Sequence, residues 1–491
     1  MNLEKYFSKF RKNIIGEEQE FESPYGTMKI VYADWIASGR LYEPIERMLI
    51  KNIYPMVGNT HSESNETGSA MTKAYGEAKK IIKKHCNAGP NDVIIFAGFG
   101  MTSAMNKFQR LMCLQNPEQL HSFTKVPDAE KPVVFVTHME HHSNHTSWLE
   151  TICDVVNIGP DDQGMVNLNR LESLLEMYKD RKYIIGSFTA ASNVTGIETP
   201  YYKMAKLIHK FNGICLIDFA AAAPYVDINM HPSDPEEQLD GIFFSPHKFL
   251  GGPGTSGVMI FDSKLYKRKI PDNPGGGTVD WTNPWGGHKY ISDIETREDG
   301  GTPGFLQAMK TALAIRLKEQ MGVKNIRKRE AYLLKKAFSR LKSIPSLHIL
   351  AQEVEERLGI ISFYVEDIHY NLMVKLLSDR YGIQMRGGCS CAGTYGHFLL
   401  HVDPTRSKRI ADKIDQGDLS EKPGWVRFSL HPTMTDGELE FILSAIEEVI
   451  INSKSWAKDY GYSSRTNEYK HISVKDSDNA WLKNWFTLKE N

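Results

Sequence analysis

Lys248 is the residue in this chain best suited to covalent chemistry. It closes the run Ser245-Pro246-His247-Lys248, just past the apolar stretch Gly241–Phe244. A glycine-rich turn follows, then a second apolar run over 258–261. A lysine withdrawn from water loses its proton more easily and can attack a carbonyl to form a Schiff base. Ser245 and His247 could hold a phosphate beside it. A surface lysine at a turn is the plainer alternative. Gly98-Phe99-Gly100-Met101-Thr102 lies between a strand-like and a helical run. Its N–H groups and the Thr102 hydroxyl could cradle a phosphate, or the glycines could simply build a turn. Asp218 follows ICLI, where an unpaired buried carboxylate would be costly, so a cation partner is expected; otherwise it begins a turn. Glu140-His141-His142-Ser143-Asn144 follows VVFVT, and an imidazole there could stack on a flat ring. Zinc held by His141, His142 and His145 competes with that reading, but the spacing matches no standard ligand pattern. Ser192-Asn193 adds an amide at the same edge.

These residues share a place in the pattern: each lies just beyond a run that reads as a strand. Strands are expected over 28–33, 93–96, 133–137, 155–158, 183–188, 214–217, 242–244 and 258–261. Helices are expected over 69–86, 102–114, 168–178 and 201–211. Such alternation predicts an α/β fold with a mostly parallel sheet and helices on both faces, and ligands bind beyond the strand ends of such a sheet. A helical pattern over 303–321 leads into a smaller α+β unit. Its strands are expected near 347–350, 360–365, 383–385 and 426–429, and its helices over 370–381 and 436–452. Residues 403–423 and those beyond 453 read as charged and irregular. The expected organisation is an N-terminal helix and arm (1–29), a large domain (30–315), a small C-terminal domain (316–455) and an extension (456–491).

Composition narrows the class. Hydrophobic content of 41%, charged content of 24% and a net charge of −1 are those of a globular protein with neither nucleic acid nor a membrane as partner. The start, MNLEKYFSKFRKN, reads as an amphipathic helix and not as a secretory signal. Six cysteines scattered over 491 residues do not make a disulfide framework, so a reduced, cytoplasmic protein is expected.

Taken in order, THMEHHSN, ASNVTG, LIDFAAAAP, FSPHKFLGGPGTSG, PGGGTV and GGTPG resemble the class V branch of the fold-type I pyridoxal-phosphate enzymes. The nearest subgroup in appearance is that of cysteine desulfurases and selenocysteine lyases. The resemblance implies the fold-type I transferase fold, pyridoxal phosphate as cofactor and a small amino acid as substrate. Lys248 would form the internal aldimine, His141 would stack on the ring and Asp218 would pair with the ring nitrogen. Met101, Thr102, Ser245 and His247 would bind the phosphate. Asn193 would lie near the ring hydroxyl and the substrate carboxylate. Thr278 would reach the phosphate of a neighbouring subunit, implying a homodimer with shared active sites. Arg427, with Arg386 nearby, would clamp the substrate carboxylate.

Two positions depart from the subgroup. Ala221 stands where a glutamine is usual, and Thr433-Met434 replaces a tyrosine-asparagine pair. Cys391, five residues after Arg386, matches a sulfur-accepting cysteine; its thiolate would take sulfur from cysteine, leaving alanine, and pass it to an acceptor protein. The same CSCAG turn could instead be packed structure. A metal site from Cys389, Cys391, His397 and His401 is disfavoured, because cysteines one residue apart chelate poorly alone, and no metal is expected. The expected activity is that of a cysteine desulfurase. Its rivals are an aminotransferase, epimerase or other lyase that does not use Cys391, and a non-catalytic relative. A nucleotide-binding oxidoreductase is weaker, since GFGMTS lacks the third glycine of the dinucleotide fingerprint.

Overall fold

A computed structural model describes residues 2–115, 126–474, 482 and 484–488. The first helix, Leu3–Arg11, buries Phe7 and Phe10 on one face. A hairpin of β1 (Glu20–Ser23) and β2 (Gly26–Lys29) follows, then β3 (Val31–Tyr32). The single strand expected over 28–33 is therefore broken at Ile30. Its N–H turns back to the Gln19 carbonyl at 2.8 Å, while β3 pairs in parallel with residues 383–384. One strand cannot serve both partners.

Seven strands build the main sheet: β4 (Asp92–Ala97), β5 (Val133–Val136), β6 (Asp154–Asn157), β7 (Ile184–Thr189), β8 (Ile214–Asp218), β9 (Gly241–Phe244) and β10 (Gly257–Asp262). Their order is β4-β10-β9-β8-β7-β5-β6. From β9 to β6 every neighbouring pair is parallel, and β10 runs antiparallel to both β9 and β4. The expected mixed, mostly parallel sheet is present. Strands β5, β7 and β9 are buried at every residue, as covering both faces requires. Val133 and Phe135 face a cluster shared with helices Glu66–His85, Leu168–Met177, Tyr201–Lys210 and Phe305–Met321. Val134 and Val136 face the other way, toward helix Met101–Leu111.

An exposed hairpin, β11 (Val279–Thr282) with β12 (His288–Tyr290), leads to the second part of the chain. There β13 (Leu347–Ile349) and β14 (Ile360–Val365) come first; the strand expected over 383–385 then ends at Gln384, and a separate one follows it. β15 (Ile383–Gln384) pairs with β3, whereas β16 (Arg386–Gly388) pairs with β17 (Trp425–Ser429). The antiparallel order is β13-β14-β17-β16, over an apolar cluster shared with helices Val323–Leu341, Tyr370–Tyr381 and Asp436–Trp456. No helix among the described residues is long and apolar enough to cross a membrane.

Two segments expected to be irregular carry regular elements among their described residues. Within 403–423, helix Pro404–Asp415 is capped by the Asp403 side chain, which accepts from the N–H groups of Thr405 and Arg406. Its polar composition hid it: among its residues only Ile410 is buried. Beyond 453, β18 (Tyr460–Ser463) and β19 (Glu468–His471) form a hairpin. Its buried turn residue Asn467 is left-handed (φ 58°), a conformation asparagine tolerates. The Asn467 carbonyl accepts from Asn371 Nδ2 at 2.6 Å, and its Nδ2 donates to Tyr370 Oη at 2.6 Å. Replacing Asn467 with alanine keeps the main-chain bond but removes the side-chain bonds to Tyr370 Oη and from Tyr462 Oη, a loss of about 1–3 kcal/mol. Limited proteolysis should then cut within 460–474 faster than in the parent; equal cleavage rates would contradict this anchoring.

Candidate active site

β9 ends at Phe244, and the chain makes one short turn, Pro246–Lys248, at the sheet edge. Gly252 permits the return, because a Cβ there would run into the Pro246 carbonyl. Lys248 Nζ projects into a cavity of about 240 Å³ and forms no hydrogen bond or ion pair with any described residue. Burial lowers its ammonium to about 8; Asp218 opposes that drop, and Arg427 and Arg386 add to it. Asp218 ends β8, the neighbouring strand, and is 3% exposed. Its Oδ1 accepts from Ala220 N at 2.7 Å. Burial pushes the carboxyl up to about 6, against the pull of that N–H and of Lys248. At neutral pH the two groups are therefore oppositely charged, enclosed and not in contact.

The wall beyond β4 is built for an anion. Helix Met101–Leu111 starts from Gly100, which offers no capping side chain. A Cβ on Gly100 would press on Ser245 Oγ, 3.2 Å away. Met101 N donates to Ser245 Oγ at 2.8 Å, and Thr102 Oγ1 lies 2.6 Å from Ser143 Oγ. A helix start lined by hydroxyls favours bound negative charge. Ser143 was not singled out from sequence, although it sits two residues past His141. Its N–H donates to His141 Nδ1 at 3.1 Å and sets that ring's orientation. Burial, reinforced by Lys248, pushes His141 down to about 3, so the ring is neutral. Glu140 lies just below, accepting from Thr137 Oγ1 and Asn144 Nδ2 at 2.7 Å each and from Thr189 N at 3.0 Å. It fastens the end of β5 to that of β7.

The opposite wall carries Arg386, Arg427 and Cys391. Arg427 is 3% exposed and donates from Nη1 to the Asn193 carbonyl at 3.0 Å. Ser390 and Cys391 are both left-handed (φ 52° and 57°), strained for residues that bear a Cβ. The loop is held by its surroundings. Asn193 Nδ2 donates to the Ser390 carbonyl and His142 N to the Cys391 carbonyl, each at 2.8 Å. Gly393 N donates back to His142 Nε2 at 2.9 Å. Burial lowers the His142 pKa, keeping that nitrogen an acceptor. His142 thus clamps both sides of the cysteine loop, and His145 lies 3.3 Å from Thr394 Oγ1. His397 is likewise engaged, with the Gly393 carbonyl and Ser407. Among the described residues no three His, Cys, Asp or Glu side chains gather to hold a metal ion.

Every residue to which the sequence reading gave a catalytic, cofactor or substrate role faces this one cavity, except Thr278. Thr278 is buried beside β11 and bonds to the Gly275 carbonyl. Ala221 also lines the cavity, without a polar group to offer.

The sequence profile of the Aminotransferase class-V family matches residues 31–442. The chain belongs to this family. It is accordingly a pyridoxal-phosphate-dependent enzyme, and its curated relatives include a probable cysteine desulfurase of Staphylococcus aureus, 26% identical over 368 residues, 74% of this chain and 83% of the relative. One from Staphylococcus epidermidis is 26% identical over 388 residues, 78% and 87% of the two chains. In fold this class-V chain is similar to the apo cysteine desulfurase of Thermococcus onnurineus, with a TM-score of 0.72 at 21% identity over 90% of this chain and 98% of that one. It is similar also to an Escherichia coli cysteine desulfurase in its S-sulfonic acid form, with a TM-score of 0.70 at 20% identity over 91% and 98%.

The isolation of Lys248 has a chemical consequence. In the cofactor-free protein, acylation of Lys248 should rise with pH through a midpoint near 8 as Nζ loses its proton. Exposed lysines should titrate near about 10.4, and peptide mass spectrometry separates the two. A Lys248 midpoint among those of the exposed lysines would contradict its burial.

Proposed function

We propose that this enzyme is a cysteine desulfurase that uses Lys248 to carry pyridoxal phosphate and Cys391 to accept sulfur. One observation supports the reading above the rest: Cys391 sits on a strained, clamped loop in the same cavity as Lys248 and Arg427. The names of the curated relatives point the same way.

The donor set fits the cofactor. Asp218 is a buried carboxylate that no cation among the described residues contacts, suited to a protonated ring nitrogen. Asn193 Oδ1 is buried and bonds to no described residue, as a group awaiting a polar partner would be. The helix start at Met101, with Thr102, Ser143, Ser245 and His247, would hold the phosphate, and neutral His141 the ring face. Pyridoxal phosphate, when bound, draws electrons from the substrate's α-carbon and so labilises its bonds.

The chain's own residues do the remainder. Arg427, with Arg386 beside it, fixes the substrate carboxylate. Lys248, whose ammonium burial has weakened, takes and returns the α-proton. Cys391 Sγ, as thiolate, attacks the substrate's sulfur. A sulfur–sulfur bond forms as the carbon–sulfur bond breaks, and the released pair is protonated at the β-carbon to give alanine. No outside oxidant is needed, and the persulfide sulfur goes to an acceptor protein. In a homodimer Thr278 would exchange its bond to the Gly275 carbonyl for the phosphate of a second copy. The cavity would lie between a large unit (30–315) and a small one (316–455), in a cytoplasmic protein.

Cys391→Ala tests this directly. Sulfide release from cysteine should disappear, while the cofactor colour and its change on adding cysteine persist. Cys389→Ala is the control and should keep sulfide release. Turnover surviving in Cys391→Ala would point instead to a transaminase, an epimerase or a lyase without covalent sulfur capture.

A further inference from the structure

Arg386 and Arg427 are direct cross-strand partners in β16 and β17. Like charges placed so are destabilising. Both heads converge on a residue to which the sequence reading gave no role, Asp34. Arg427 Nη2 lies 3.1 Å from Asp34 Oδ1, and Arg386 Nε and Nη2 each lie 3.1 Å from Oδ2. One carboxylate bridges two guanidiniums, so the group keeps a single surplus positive charge.

Asp34 is fixed in that position. Its own carbonyl accepts from Ala37 N at 3.0 Å and from Tyr32 Oη at 3.2 Å. On one side Ser429 N donates to the Ala33 carbonyl at 2.8 Å; on the other, Ile36 N donates to Ser429 Oγ at 3.0 Å. Trp35 stacks on His431 with ring centres 3.8 Å apart. The turn is thereby stitched to β17, the strand that carries Arg427. Arg427 is enclosed, with its Nε bonded to no described residue, and the Arg386 side chain is 49% exposed; both line the cavity.

We infer that Asp34 sets the charge class of the substrate. By neutralising one of two guanidiniums, it leaves the clamp matched to one carboxylate. Amino acids with neutral side chains fit that balance; an acidic side chain finds no spare guanidinium. Asp34 touches neither cofactor nor substrate in this scheme and acts as a positioning residue through the arginines. The inference rests on the proposed function only in taking the cavity to bind an amino acid; it does not use the sulfur chemistry.

The test titrates holoenzyme with L-alanine and with L-aspartate and reads binding from the cofactor absorbance. The parent should prefer alanine. Asp34→Asn should shift the aspartate-to-alanine affinity ratio toward aspartate by about tenfold or more, as one freed guanidinium–carboxylate pair allows. Asp34→Asn combined with Arg386→Ala should lose that gain. A merely structural Asp34 would weaken both ligands together, and an unchanged ratio overturns the inference. Arg386→Ala alone gives a second reading should the Asp34 variant not fold. With Asp34 then pairing with Arg427 only, no surplus charge is left, and alanine binding should fall by about tenfold or more; unaltered binding overturns the inference as well. A parent that binds alanine but never releases sulfide from cysteine would instead contradict the desulfurase reading and leave this one standing.

Discussion

The structure turns on one electrostatic constraint: Lys248 and Asp218 are charged, enclosed and held apart at neighbouring strand ends. Burying a charge away from water costs several kcal/mol unless something pairs with it. Here each group relieves the other only at a distance, and each is shifted toward its neutral form, the acid to about 6 and the amine to about 8. A fold tolerates such an arrangement where a ligand completes it. The parallel register of β8 and β9 sets the spacing, since Asp218 pairs with Phe243 and the Lys248 turn starts just beyond.

The remaining parts follow from what that pair needs. Glu140 locks β5 to β7 so that His141 and Asn193 hold their places around the cavity. The second sheet supplies the opposite wall. There Arg386 and Arg427 face each other across β16 and β17, and Asp34 makes that pairing tolerable. His142 and Asn193 hold the Cys391 loop, which its own backbone would not favour, so the site is assembled from segments far apart in the chain.

That distance explains what could be read in the sequence. Lys248, Asp218 and His141 each follow a continuous apolar run, and buried parallel strands announce themselves in that way; the main sheet and the edge that bears the cavity were legible for the same reason. Asp34 was not, because its arginine partners lie 352 and 393 residues away and nothing local marks it. His142 suggested zinc by its residue type, yet its work is to clamp a loop some 250 residues downstream, a contact only the fold creates. Helix Pro404–Asp415 did carry a readable start in Asp403-Pro404, but its nearly apolar-free surface gave no periodicity to follow. The break at Ile30 came from competition between two strand partners, which no single-segment pattern reports.

The most direct test of the central claim is to find where the cofactor attaches. Purified protein incubated with pyridoxal phosphate should turn yellow, and borohydride should bleach it and leave a reduced cofactor adduct on the peptide containing Lys248. Asp218→Ala should still form that adduct while slowing turnover by about 10² to 10⁴. A colourless protein without an adduct, or an adduct confined to another lysine, would contradict the account.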